Sequence, residues 1–397
     1  MNARRLVILL ALVVGAAAAV PGPARAADAP GDTVRADADA RADVEYLDDS
    51  PHIPGKQGNY WFYKGYDYGS QSLIHPLRLI INGGYGIMQV SSRDNRPGKI
   101  QYGRGMRNVT QNLLNPHWSI SINGFWDFFS REVLPISINS GQAQYWPNYM
   151  NHLVGGGFSY RMMVEYYSYH DVDHPRAWAG ATIFAYHFLN EVVENDGYLG
   201  PTTDPVADFW LFNPAGIILF SNESIARFFG ETLHMADWSY QPVWLPETHE
   251  LVNNGQNYAV KYHLNERGST SLFYHWGTHA ELGLSFTRPD GDCFSFGLGL
   301  VPKNLFKIDE VSKTVDLAVS GGLFYDRDNS LMASLLFART KDYRYRLNLY
   351  PGLIKLGPMR PGFFASLNQD DRLLLGLTFG TLQHVPIGIG GAFNEVE

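Results

Sequence analysis

The chain has a single cysteine, Cys293, in 397 residues. No intramolecular disulfide is possible, and its place among alternating aromatics marks a packed strand residue rather than a nucleophile. Charged residues are scarce, at 18%. Long hydrophobic runs are also missing: past residue 26 the most apolar segments, "WAGATIFAYHFL" and "FWLFNPAGIILF", fall well short of the roughly 18 residues that a membrane-crossing helix needs. The signatures of a phosphate loop and of a nucleophile elbow do not occur. "GGYG", "GGG" and "GIGGA" lack the strand-turn-helix setting that would make a glycine cluster a nucleotide site.

Basic charge is short as well. The formal net charge is -8, and residues 1–26 carry Arg4, Arg5 and Arg25 with no acid, so without them it becomes -11. A chain this acidic is a poor partner for nucleic acid. Those first residues read as a signal peptide: two arginines, the apolar run "LVILLALVVGAAAAV", then "ARA" ending at Ala26. Residues 27–58, rich in Ala, Asp and Pro, read as a flexible leader with nothing to build a core.

What the chain has in excess is aromatic residues, 14%, and 40 glycines, a mixture that suits β-barrels and close backbone packing. In "HAELGLSFTR" the residues Ala280, Leu282, Leu284 and Phe286 share one face, and His279, Glu281, Gly283, Ser285 and Thr287 the other. "DCFSFGLGLV" repeats the alternation after the turn signal "PDGD". "TVDLAVSGGLFYDRDNSLMASLLFART" is a second hairpin with an Asp-Asn turn, and "YRYRLNLY", "PGFFASLN" and "DRLLLGLTFGTL" continue the meander. At least seven strands follow residue 258, and "LRLIINGGYGIMQV" (77–90), β-branched and glycine-bent, is expected to add an eighth. Large apolar residues on one face suit lipid, and the Gly, Ser and Thr face suits a filled interior. A water-soluble barrel would show the same period but place charges outside.

Between 112 and 235 the period is helical, with five short apolar helices expected. "AYHFLNEVVEND" places His187, Glu191 and Glu194 within about 60 degrees of one another on a helix. His152, Gly155, Gly156 and Ser159 share a face of the preceding helix, where small residues let two backbones approach. Asp204 and Asp208 precede an apolar run interrupted by Asn213 and Pro214, and a proline inside a helix frees a carbonyl that polar neighbours must satisfy. His152, His187, Glu191, Glu194, Asp204, Asp208 and Asn213 therefore form one candidate buried polar cluster.

A histidine in a small-residue helix, an acid pair ending a second, and then Asp204, Asp208, Asn213 and Gly216 at their spacing resemble the helical pattern of VanZ-like proteins over about 148–220. The same pattern is similar to that of uncharacterised bacterial envelope families, one of which appends it to outer-membrane strands. Where those families have Asp-Lys before the histidine, this chain reads "PNYMNH". The resemblance implies an architecture rather than an activity.

Other motifs carry less. "YHDVDHP" packs two His and two Asp into five positions, but Asp173 or His174 is expected to cap the helix starting at Pro175. Ser221 or Asn222 is read as an N-cap with Glu223 in the first turn. Glu191 and Glu194 follow no established zinc spacing, so no metal ligands and no cofactor are assigned.

The sequence thus predicts an α+β protein: a signal peptide (1–26), a leader (27–58), an N-terminal strand region (59–111), a helical region (112–235), and a small antiparallel outer-membrane-type β-barrel (236–397) with the helices packed in or beneath it. The expected location is the outer membrane, with the periplasm as the alternative. The expected partners are outer-membrane lipid and a small amphipathic ligand, not nucleic acid. Three roles for the cluster stay open: a structural lock on helix register, a lipid or ligand site, and a membrane-embedded hydrolase acting on a lipid or cell-wall precursor.

Overall fold

Alternating side chains after residue 257 dictate strands, and the computed structural model, which describes residues 52–89, 93–134, 149–307, 313–380 and 387–393, shows how they pair. The segment read as a signal peptide, most of the segment read as a leader and the terminal "NEVE" lie outside the described residues.

Ten strands run as an antiparallel meander in chain order: β4 (Asn257–His263), β5 (Thr270–Gly277), β6 (Ala280–Thr287), β7 (Asp292–Lys307), β8 (Lys313–Arg327), β9 (Ser330–Ala338), β10 (Tyr345–Leu349), β11 (Pro361–Leu367), β12 (Leu373–Phe379) and β13 (Gly388–Phe393). Three short strands complete a thirteen-stranded sheet. β1 (Ala236–Asp237) pairs with β4, while β2 (Val243–Leu245) runs parallel to β13 and pairs with β3 (Glu250–Val252). β1 and β3 end the hydrogen-bonded order, so the sheet is not closed into a barrel, although segment 236–245 touches both edges of the meander.

Period-two patterning sets which face is buried. Glu281, Ser285, Cys293, Ser295, Ser320 and Asp326 are buried, whereas Leu282, Leu298 and Val319 on the opposite face are 57%, 68% and 75% exposed. Cys293 is the packed strand residue that its neighbours imply, and Thr287 Oγ1 donates to its Sγ at 3.4 Å. Asp328 and Asn329 both take positive φ, 50° and 61°, in the turn between β8 and β9, as the Asp-Asn pair suggests.

The helices form a second layer. They are α1 (Pro76–Tyr85), α2 (Tyr102–Leu114), α3 (Pro116–Asn123), α4 (Phe125–Phe128), α5 (Gly157–Tyr169), α6 (Pro175–Glu194), α7 (Asp204–Ala207), α8 (Asn213–Phe220) and α9 (Glu223–Arg227). Their core, with Phe158, Met163, Ile183, Tyr186 and Phe220, meets the sheet through Tyr258 and Trp276, which face each other across β4 and β5.

Two expectations fail here. Among the described residues, segment 77–90 holds no eighth strand and 59–111 is not a strand region: the chain forms α1, a 3-10 turn (Gly86–Gln89) and α2 there. His75 Nδ1 accepts from Leu77 N at 3.2 Å, and Pro76 occupies the first helical position. The glycines that suggest a bent strand instead let α6 approach, since a Cβ on Gly83 or Gly84 would collide with Tyr186 or Leu189. Tertiary packing overrides the β-branched propensity of Ile80 and Ile81. α6 does start at Pro175, but His174, at φ 57°, makes no side-chain cap. Asn222 caps α9 as expected, accepting from Ser224 N and Ile225 N.

Candidate functional site

The polar cluster forms where three helical segments lose regular pitch. π-helical turns cover Phe129–Val133, Tyr149–Gly156 and Asp208–Phe212, and each holds one site residue: Glu132, His152 and Asp208. Such turns recur at functional sites because an extra residue per turn rotates a side chain out of register. Pro214 supplies a cause for one of them, since it has no N–H to bond the carbonyl of Trp210.

All seven predicted residues converge. His152 Nε2 lies 3.2 Å from Asp208 Oδ2, and its Nδ1 lies 3.3 Å from Asn213 Oδ1. The rings of His152 and His187 are 4.5 Å apart. Carboxylate oxygens of Glu191, Glu194 and Asp204 lie within 4.8 Å of one another. The spacing explains this: Glu191 and Glu194 are i, i+3 on the last turn of α6, and Asp204 and Asp208 are i, i+4 from the start of α7. Gly156 keeps the His187 ring close, because a Cβ there would sit 3.1 Å from Cε1.

Three further residues, Glu132, Thr203 and Asn195, belong to the site and were not legible. Thr203 Oγ1 donates to Glu132 Oε1 at 3.2 Å, and the charge of Glu132 acts on Asp208. Asn195 Nδ2 donates to Glu191 Oε2 at 3.1 Å. Glu132 stands after a run of aromatics at the end of "GFWDFFSREV", where nothing in its spacing ties it to the later acids.

Burial dominates the electrostatics. It pushes the Asp208 carboxyl well above the usual range, and the negative charges of Asp204 and Glu191 push it further. Burial lowers His152, although Asp204 and Glu194 oppose this. Burial and then the charge of His152 hold His187 well below an ordinary imidazole. His152 and Asp208 thus meet at salt-bridge distance, yet both shift toward neutrality. Buried His187 Nδ1, Asp208 Oδ1 and Asn213 Nδ2 have no hydrogen-bond partner.

The same segments carry exposed apolar side chains on their outer surfaces. Trp210 and Leu211 follow Asp208, Trp126 and Phe129 precede Glu132, and Phe184 precedes His187 on α6. Phe128, Ala207 and Phe212 pack with Leu153 to seat the three segments together. A cavity of about 470 Å³ beside α5 is lined by Arg161, Glu165 and Glu223, not by the cluster.

No family model, curated protein or solved structure matches this chain.

Proposed function

We propose that this is an exported outer-membrane protein, seated in the bilayer by a small barrel, whose helical layer binds a lipid or another amphipathic ligand at the buried carboxylate–imidazole cluster. One observation carries the reading: polarity is inverted across the sheet. Lys261, Glu281, Asp326 and Arg346 are buried, while Leu282, Phe296, Leu298, Val319, Leu323, Leu377 and Ile389 are exposed on the strands. A water-soluble sheet would lose stability by this arrangement, whereas a lipid-facing one gains. Barrel closure is supported by segment 236–245, which pairs with β4 at one end and β13 at the other. Trp126, Trp210 and Leu211 beside the cluster suit a membrane surface, where indole rings favour the headgroup level.

The test is fractionation and handling. The mature protein should appear in the outer-membrane fraction, need detergent, migrate differently on gels with and without boiling, and bind phospholipid vesicles. Full solubility without detergent rejects insertion, and vesicles that bind the wild type and a His187→Ala, Glu191→Gln double variant equally reject the ligand site.

A membrane-embedded hydrolase is the second reading. It is favoured by His152, whose ring Asn213 Oδ1 orients through Nδ1 while Nε2 faces Asp208 Oδ2, a carboxyl with which it can exchange a proton. Its measure is turnover of vesicle phospholipid, and equal product release by wild type and His152→Gln rejects it.

A further inference from the structure

We propose that Glu191, Glu194, Asp204, Asp208 and His152 form the binding site of a divalent first-row metal ion. The proposal rests on the cluster and not on membrane insertion, so either can fail alone.

Geometry gives the first argument. Glu191, Glu194 and Asp204 each bring an oxygen within 4.8 Å of the others, near enough for small side-chain rotations to place all three on one ion at about 2.0–2.2 Å. Asp208 adds a fourth carboxylate: it is fully buried, Glu191 lies within hydrogen-bonding reach of it and Asp204 is a further charged neighbour, and its Oδ1 receives no donor from the protein. That oxygen is the independent sign of a ligand, because a buried acceptor is ordinarily satisfied.

The imidazole gives the second argument. His152 Nδ1 lies 3.3 Å from Asn213 Oδ1; in the tautomer that donates there, Nε2 carries its lone pair toward Asp208 Oδ2 at 3.2 Å. A lone pair facing a carboxylate oxygen needs a proton or a cation between them. Metal-bound histidines characteristically donate their other N–H to an oxygen in this way. A metal cation in that position resolves the conflict.

Chemistry narrows the metal. Hard carboxylates with one imidazole suit Mn²⁺, Fe²⁺ or Zn²⁺, and the absence of thiolate from the set disfavours soft ions. His187 lies against the His152 ring rather than among the oxygens, so it forms the wall of the site.

The experiment uses the full mature chain in detergent, stripped with EDTA and titrated with MnCl₂ and with ZnSO₄. The wild type should take up close to one ion per chain and melt at a higher temperature when loaded. The Mn²⁺ form should show nitrogen hyperfine coupling that disappears in His152→Gln. Glu191→Gln and Asp204→Asn should each weaken binding about tenfold or more, while Glu247→Gln, an exposed acid on the turn before β3, should not. No uptake by the wild type at millimolar metal overturns the proposal and leaves a proton shared between His152 and Asp208. Uptake without nitrogen coupling in the wild type also overturns it, and neither result depends on a variant folding.

Discussion

At the residue scale the sheet holds a charge pair that water never reaches. Lys261 Nζ lies 2.7 Å from both oxygens of Asp326, and its charge rests 5.0 Å over the Trp238 ring. Removing one partner leaves the other buried and uncompensated, so Lys261→Ala is expected to cost about 3–5 kcal/mol, whereas Lys261→Met with Asp326→Leu should recover most of the loss. Guanidinium unfolding in detergent measures both, and an undisturbed Lys261→Ala protein rejects the pair's role. Glu223 behaves differently because it is partly exposed. Burial would raise its carboxyl, but hydrogen bonds from Asn59 and Trp61 and the Arg161 guanidinium outweigh this and hold it below its ordinary 4.5. A depressed carboxyl contributes stability above its unfolded value that is lost as pH falls through the folded one. The melting temperature should therefore decline as pH drops below about 4.5, and Glu223→Gln should flatten that decline. Parallel pH profiles for the two proteins exclude Glu223 as a source.

At the scale of elements, glycine does opposite work in two helices. A Cβ on Gly216 of α8 would meet Leu153 O at 2.7 Å, His152 O at 3.0 Å and Gly157 N at 3.1 Å. These are backbone atoms that no rotamer change can move. Gly180, inside α6, would meet nothing within 4 Å. Gly180→Ala should stabilise the protein by about 0.5–1 kcal/mol through helix propensity, and Gly216→Ala should destabilise it by about 1–3 kcal/mol through overpacking. Thermal midpoints of the two variants moving in the same direction would refute the assignment. Gly216 thus matters to the site indirectly: it lets α8 approach the π-helical turn that carries His152, bringing Asn213 and Asp208 within reach of the ring.

At the scale of the whole molecule, the question is which solvent the strands face. Leu282 and Leu298 are register partners on β6 and β7, and both point outward. On a water-facing sheet, Leu298→Arg would be close to neutral. In a bilayer it should cost about 2–4 kcal/mol near the midplane, and outer-membrane assembly and heat-modifiable migration should suffer accordingly. A Leu298→Arg protein as stable in detergent-free buffer as the wild type would argue for a soluble sheet. Among the described residues no helix is long and apolar enough to cross a membrane, so in this reading the strands span and the helices lie against one end of β4 and β5, with their exposed Trp and Phe side chains at the membrane surface.

The sequence by itself determined the meander strands after residue 257 and seven members of the cluster. A period of two fixes which side of β6, β7 and β8 is polar, because successive side chains point to opposite faces whatever the partner strand is. Helical spacing puts His187, Glu191 and Glu194 on one face for the same local reason. The Asp-Asn turn and the Asn222 cap were readable because both are short-range hydrogen-bond or φ preferences. Only the tertiary structure decided the rest. Residues 77–85 form α1 rather than a strand because Gly83 and Gly84 are needed against Tyr186 and Leu189, more than 100 residues away, a contact that no local propensity encodes. Glu132 enters the site because α4 and α7 pack through Phe128 and Ala207, and the second of two acid pairs finds the first only when α6 and α7 are folded together. Residue type and spacing state which groups can share a face; long-range packing alone states which faces meet.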